Sequence, residues 1–267
     1  MTRILYTLCL FLFSLSTLKA ERTKVEIQTS RGIIIVALYN ETPKHRDNFI
    51  KLVEEGIYDS LLFHRVIEDF MIQAGDIKSK NAGPEERLGA NDLGYKVPAE
   101  FSPVLFHKKG VLAAARDGNK ERASSSTQFY LVQGKVQNDS TLNYHQKRIN
   151  NMLRRHYYMN DPNSQPLLDS ITAAREAKDS ILYNQLRTKS ERLQNSYEDF
   201  IKYEIPEKHR MYYKTMGGTP HLDQNYTVFG EIIFGFDVLN SIARVETDNR
   251  DRPLEDVRII SMRVVRE

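Results

Sequence analysis

Residues 63–76, FHRVIEDFMIQAGD, place one cation among aromatic, aliphatic and amide side chains at short spacing. The first residues predict a short strand carrying Arg65, and an arginine in such a setting must find hydrogen-bond acceptors. A bend at 68–69 then precedes a second strand, in which Met71 and Gln73 share one face because side chains alternate with a period of two. The segment therefore places an arginine that needs acceptors close in sequence to a strand face that carries Met71 and Gln73.

Each of these residues has a simpler interpretation when it is considered alone. An arginine in a strand is more often a solvated or ion-paired surface residue, and Phe70 next to Met71 is typical of an ordinary core. The period of two also places Phe70 opposite Met71. Both side chains can line one pocket only if the bend rotates Phe70.

The remaining sequence gives little support to other kinds of chemistry. The chain has 267 residues, of which 40% are hydrophobic and 27% charged, as in an ordinary folded protein. Its seven histidines show no metal-ligand spacing, and there is no glycine-rich phosphate loop or G-x-S-x-G nucleophile motif. We expect no metal and no cofactor, which argues against hydrolysis, phosphoryl transfer and redox chemistry.

The first twenty residues predict a signal peptide, because Arg3 precedes an apolar run at 4–13 and a small-residue stretch ends at Ala20. A membrane anchor is the alternative, although the run is short for a bilayer span. Cleavage would remove Arg3, Lys19 and Cys9, the only cysteine, and the net charge would fall from +3 to +1. A basic footprint for nucleic acid is therefore not expected. A mature chain without cysteine suits an oxidising compartment.

Short strands dominate the chain on both sides of its central third. The strand-like segments are 24–29, 32–39, 63–67, 70–73, parts of 110–134, 226–233 and 257–265. Helical spacing begins at Pro43 and stops at Gly56, and a second short helix is predicted at 237–243. Many short strands with two short helices predict a closed antiparallel barrel, mainly β, that the two helices cap.

Residues 136–215 differ in composition from the rest of the chain. Apolar residues recur there at helical spacing, and Pro162 and Pro166 separate two helical stretches. We interpret this segment as a helical hairpin inserted into a β domain formed by residues 21–135 and 216–267. It is either a solvated surface hairpin, which costs little to close, or a docking arm for other proteins, as its eight tyrosines among charges indicate.

Four motifs resemble the cyclophilin family of peptidyl-prolyl cis/trans isomerases. They are FHRVIEDFMIQAGD at 63–76, GVLAAAR at 110–116, STQFYLV at 126–132 and GGTPHLDQNYTVFGEI at 217–232. They match the family in order and approximate spacing, and the resemblance covers nearly all of the chain outside 136–215. It implies a closed, eight-stranded, cyclophilin-like barrel and an enzyme that acts on proline-containing polypeptides.

The resemblance also implies a role for each site residue. Arg65 would be the catalytic residue. The proline pocket would consist of Phe70, Met71, Tyr130 and Leu222, the substrate backbone would contact Gln73, Ala115, Arg116 and Gln128, and His221 and Tyr226 would complete the rim. As an X-Pro bond twists, the lone pair of the prolyl nitrogen becomes an acceptor, and Arg65 can donate to it only in that state.

Several rim positions depart from the residues that the family commonly carries. Tyr130 stands where many members have Phe, His221 replaces Trp, Tyr226 replaces His and Arg116 replaces Asn. Without an indole donor at 221, we expect weak binding of cyclosporin. Similar replacements occur in bacterial members, so with the signal peptide we expect a bacterial periplasmic protein.

Two functions remain open from the sequence. The first is an isomerase that accelerates slow proline steps in unfolded or newly exported proteins. The second is a weakly catalytic or non-catalytic cyclophilin-like chaperone or scaffold that binds clients through residues 136–215. Arg65 with its neighbours favours the first function, and the altered rim at His221 and Tyr226 leaves the second open.

Overall fold

The computed structural model describes residues 21–266, so the predicted signal peptide lies outside the described residues. The strands are β1 (Lys24–Thr29), β2 (Gly32–Leu38), β3 (Arg65–Ile67), β4 (Met71–Ala74), β5 (Lys96–Val97), β6 (Val111–Ala114), β7 (Ser124–Ser125), β8 (Phe129–Val132), β9 (Val228–Phe234) and β10 (Ile259–Val265). The helices are α1 (Pro43–Glu54), α2 (Asp139–Asn160), α3 (Gln165–Glu176), α4 (Ser180–Asn195), α5 (Glu207–Thr215) and α6 (Phe236–Ala243). None of these helices is long and apolar enough to span a membrane.

Eight of the strands in residues 21–266 form one antiparallel sheet, in the order β10-β1-β2-β9-β6-β8-β4-β3. The predicted β1–β2 hairpin is confirmed, with Thr29 paired to Gly32 at the turn. The two remaining strands, β5 and β7, pair with each other. The sheet curls into a half-barrel.

The prediction of a closed barrel is wrong, because no strand ladder joins the edge strands β3 and β10 within the described chain. A single bridge between Leu62 and Arg258 spans the gap. The physical reason lies in β3, which is three residues long and already paired on its outer side. The Val66 N–H there donates to the carbonyl oxygen of Asp251 at 2.8 Å, so that a loop occupies the position that a closing strand would need.

The inner face of the sheet packs against α1 and α6, the two short helices that the sequence predicts. Helix α1 buries Phe49, Leu52 and Val53 in this core. The Phe49 ring contacts Phe129 of β8 edge-on at 5.5 Å. Because side chains alternate along a strand, Phe129 and Leu131 of β8 point to this face, whereas Tyr130 points to the opposite face. The outer face is therefore free to build a site.

Residues 136–215 contain four helices, α2 to α5, instead of the two-helix hairpin expected from the sequence. They have a small core of their own, formed by Leu142, Ile149, Leu153, Tyr203, Ile205 and Tyr213 together with Phe106 from the loop before β6. The segment leaves and rejoins the β domain at one point, where the Gly218 N–H donates to the Lys135 carbonyl at 3.1 Å. A Cβ at Gly134 would lie 2.4 Å from the Gly218 Cα, so this approach requires glycine. That the segment is an insertion stays a prediction.

Candidate active site

One row of paired residues crosses the outer face of the sheet. Arg65 on β3 lies opposite Gln73 on β4, Gln73 opposite Tyr130 on β8, and Tyr130 opposite Ala113 on β6. Directly paired residues point to the same face of a sheet. The row therefore brings together Arg65, Gln73 and Tyr130, which come from two distant parts of the chain.

The bend between β3 and β4 rotates Phe70 toward this face. Asp69 adopts the left-handed region with φ 62°, and its N–H donates to Gln133 Oε1 at 2.6 Å. The carbonyl oxygen of Phe70 then accepts the N–H groups of Gln133 and Gly134 at 3.1 and 3.0 Å. Phe70 and Met71 line the same cavity as a result. The period of two does not show this, because the left-handed residue interrupts it.

A cavity of about 340 Å³ opens on the outer face. Nine of the eleven residues predicted for the site line it, namely Arg65, Phe70, Met71, Gln73, Ala115, Arg116, Tyr130, Leu222 and Tyr226. His64, Leu88, Gly89 and Arg250, which are not among the predicted residues, line it as well. Its apolar and aromatic members Phe70, Met71, Ala115, Tyr130, Leu222 and Tyr226 belong to one packed cluster, and Arg65 and Gln73 line the same cavity.

The other two predicted residues lie next to the cavity. Gln128 accepts a hydrogen bond from Gln73 Nε2 at 3.0 Å, and it donates to the carbonyl oxygens of Gly89 and Asn91 at 3.1 Å each. Gln128 therefore fixes the orientation of the Gln73 amide. The His221 ring stacks on Phe70, with centroids 5.6 Å apart and an interplanar angle of 23°.

Arg65 is held along one edge of its guanidinium. Its Nε donates to Asp251 Oδ2 at 3.3 Å, and the side chain is 42% exposed. Neither Nη group has a hydrogen-bond partner within residues 21–266. Asp251 is 186 positions away in sequence, so no local pattern could have indicated it. The contact leaves two Nη groups available for a substrate acceptor.

A buried relay supports the floor of the pocket. Tyr130 is 4% exposed, and its hydroxyl lies 2.9 Å from His107 Nε2, while His107 Nδ1 lies 2.9 Å from Asp223 Oδ1. Burial raises the pKa of Tyr130 well above its ordinary value, so the hydroxyl keeps its proton. Because the carboxylate can only accept, the proton of His107 is assigned to Nδ1, and Nε2 accepts from Tyr130.

The relay continues into the helical segment. Asp223 Oδ2 accepts hydrogen bonds from the hydroxyls of Tyr213 at 2.8 Å and Tyr203 at 3.4 Å. Its Oδ1 also accepts a hydrogen bond from the backbone N–H of His107 at 2.8 Å. Asp223 is fully buried, and a buried carboxylate requires such donors. The floor of the pocket therefore depends on residues from both α5 and the segment that precedes it.

Two histidines near the cavity are neutral at neutral pH. Desolvation by burial lowers the pKa of His64 to about 4, and both of its ring nitrogens are buried without a hydrogen-bond partner in the described chain. Burial and, next, the charge of Arg148 lower the pKa of His221 to about 3. Within residues 21–266, no group of three or more His, Cys, Asp or Glu side chains could hold a metal ion.

Comparisons with known proteins agree with this geometry. A sequence model of the family described as "Cyclophilin type peptidyl-prolyl cis-trans isomerase/CLD" matches residues 24–150 and 203–264. The chain is 31% identical over 242 residues to a "Putative peptidyl-prolyl cis-trans isomerase" of Staphylococcus aureus (strain USA300), covering 90% of this chain and 91% of that one. A Streptococcus pyogenes serotype M6 protein, a "Putative bifunctional phosphatase/peptidyl-prolyl cis-trans isomerase", is 31% identical over 244 residues, but this chain spans only 38% of its length.

Solved structures of this family show the same fold. A Cryptosporidium parvum cyclophilin-type peptidyl-prolyl cis-trans isomerase matches with a TM-score of 0.55 at 18% identity, over 92% of this chain and 99% of that one. The same protein in the presence of the dipeptide Ala-Pro gives 0.52 at 17% identity, over 91% and 99%. At such identities the likeness shows the fold, whereas the family model covers more than half of the sequence. The chain belongs to the cyclophilin-type peptidyl-prolyl cis-trans isomerases.

Proposed function

We propose that this protein accelerates rotation about X-Pro bonds in exported polypeptides, with Arg65 as the catalytic residue. The barrier to this rotation is about 18–20 kcal/mol because the amide loses its resonance. In the twisted state the prolyl nitrogen gains a lone pair that accepts a hydrogen bond. A donor that meets this lone pair stabilises the transition state more than the ground state, which is the requirement for catalysis.

The observation that carries the proposal is that the Arg65 guanidinium and a cluster of apolar side chains line one cavity. Within residues 21–266 its Nη groups have no hydrogen-bond partner, while Asp251 holds its Nε. Phe70, Met71 and Leu222 offer apolar contacts to a proline ring. In this arrangement the ring is held while the preceding amide turns, and exclusion of water strengthens the contact of the guanidinium with the nitrogen.

The test is the rate of isomerisation of an Ala-Pro peptide by the purified protein and by Arg65→Ala. We expect kcat/KM to fall by roughly 10²–10³-fold, as on removal of one transition-state donor, with a much smaller change in the Kd of the peptide. Arg31→Ala is a matched control, because Arg31 is 41% exposed and pairs with Glu255, and neither residue lines the cavity. If Arg65→Ala kept full turnover, the proposed role of Arg65 would be wrong.

A chaperone function is the second candidate, and the surface of α4 supports it. Ile181 is 73% exposed, and Leu182 and Leu193 are 42% and 46% exposed. Exposed apolar side chains on one helix offer contacts to an unfolded client. The test is suppression of aggregation of an unfolded protein. A holdase function predicts that Arg65→Ala keeps the effect and that Ile181→Ser with Leu193→Ser loses it.

A further inference from the structure

Two arginines, Arg116 in the cavity wall and nearby Arg122, form hydrogen bonds only with neutral oxygens within the described residues. Arg116 donates from Nε to the Asn225 carbonyl at 3.0 Å, from Nη2 to Asn225 Oδ1 at 2.6 Å, and from Nη1 to the Asp117 carbonyl at 2.9 Å. Arg122 donates from Nη1 to the Gln224 carbonyl at 2.9 Å. Two of these three anchors, Gln224 and Asn225, are consecutive residues of one loop. These bonds orient both guanidiniums without neutralising either charge.

The nearby carboxylates do not neutralise them either. Asp117 directs its carboxylate to Lys96 at 3.1 Å, and Glu121 forms no ion pair within residues 21–266. Burial and, next, the charge of Arg116 lower the pKa of Arg122, so the two like charges interact unfavourably. Such a pair is stabilised by an anion that lies between or beside the two groups.

Unused donors remain on both side chains. An arginine carries five N–H groups; the bonds above use three on Arg116 and one on Arg122. Arg122 Nη2 has no hydrogen-bond partner in the described part of the chain. A carboxylate is the acceptor that forms the strongest bonds with a guanidinium.

Arg116 lies within reach of a bound proline peptide. The Arg116 guanidinium lies 4.8 Å from the centroid of the Tyr226 ring, and that ring contacts Tyr130 edge-on at 6.1 Å. None of the thirteen residues that line the cavity is acidic, whereas Arg65, Arg116 and Arg250 are cationic. An extended chain advances about 3.3–3.6 Å per residue, so a side chain one or two positions from the proline reaches Arg116.

We propose that Arg116 and Arg122 form a subsite for a carboxylate side chain of the substrate, so that X-Pro bonds flanked by Asp or Glu are preferred. This inference rests on the proposed isomerase function and names its substrate class. A carboxylate accepts paired hydrogen bonds from a guanidinium, which fixes geometry as well as charge.

The experiment compares peptides that carry Glu, Gln or Lys at each of the two positions on either side of one proline, with an Ala-flanked peptide as reference. NMR exchange measures kcat/KM, and a titration measures Kd. We expect a Glu-to-Lys ratio of about tenfold in kcat/KM at one position or more, with Gln between them, as for one charge-assisted contact of 1.4 kcal/mol. Raising the salt from about 0.02 to 0.5 M should reduce this ratio.

Variants assign the preference to the two arginines. The Glu-to-Lys ratio in kcat/KM should approach one in the double variant Arg116→Gln, Arg122→Gln. It should persist in the control Arg187→Gln, which removes an exposed charge on α4. A ratio measured within one preparation does not depend on its folded fraction. If the kcat/KM values of the Glu, Gln and Lys peptides agreed within twofold at every position, the subsite would be wrong, whereas the proposed isomerase function would be unaffected. If the Ala peptide were not turned over, the proposed function would fail, and equal Kd values for Glu and Lys peptides would then reject the subsite as well.

Discussion

Replacing Tyr213 by Phe tests whether the helical segment stabilises the floor of the cavity. The Tyr213 side chain is fully buried, and its hydroxyl donates to Asp223 Oδ2 at 2.8 Å. In the variant this oxygen keeps only the Tyr203 hydroxyl at 3.4 Å. A hydrogen bond to a charged group contributes about 1.5–3 kcal/mol. We therefore expect the free energy of unfolding to fall by about 2 kcal/mol.

The assay is urea unfolding at neutral pH, in which the midpoint should fall while the slope stays unchanged. Tyr212→Phe is the matched control, because Tyr212 precedes it in α5 and is 38% exposed. Its hydroxyl forms no hydrogen bond within the described residues, so we expect a change within about 0.5 kcal/mol. Equal losses in the two variants, or no loss in Tyr213→Phe, would refute the reasoning about Asp223.

Three further predictions concern the cavity and its rim. Burial holds the pKa of His64 at about 4 in the folded protein, below the ordinary value of about 6.5. Between about pH 6.5 and 4 this histidine is therefore protonated in the unfolded chain but not in the folded one, so stability falls as the pH drops through this range. His64 contributes up to about 3 kcal/mol to this loss. In His64→Phe the free energy of unfolding, measured with urea, should therefore depend less on pH. An unchanged pH dependence would contradict the burial argument. Asp251→Ala frees the Nε of Arg65, and we expect kcat/KM to fall about tenfold, or 1.4 kcal/mol, with KM nearly constant; a rise in KM alone would show that Asp251 acts in binding. Cyclosporin should bind weakly, because an imidazole, His221, stacks on Phe70 where many family members have an indole. His221→Trp should therefore tighten cyclosporin binding in a fluorescence titration, and an unchanged Kd would contradict a role of this position.

The helical segment at 136–215 contributes hydrogen bonds to the floor of the cavity. Deleting residues 136–215 would remove Tyr203 and Tyr213, which donate to Asp223 and so support His107 and Tyr130. Loss of activity after such a deletion would therefore not show that the segment binds clients. Substitutions on the exposed face of α4 separate the two roles, because they leave this hydrogen-bond network intact.

The amino-acid sequence by itself determined the family, the β1–β2 hairpin, both short helices and most of the site. These features depend on local patterns: side-chain period, turn residues after Thr29, helical spacing after Pro43, and motifs in which the site residues are neighbours. Nine of the eleven predicted residues line one cavity because the motifs lie on adjacent strands of the sheet.

Only the tertiary structure decided the features that join distant parts of the chain. The sheet stays open because Asp251 meets the outer edge of β3, and the same residue holds Arg65. The rotation of Phe70 follows from the left-handed Asp69 and its bond to Gln133. The His107–Asp223 relay and the arginine pair at 116 and 122 likewise depend on partners from separate segments. Local sequence determines which side chains share a face, whereas the partners that satisfy buried or charged groups are set by how the whole chain packs.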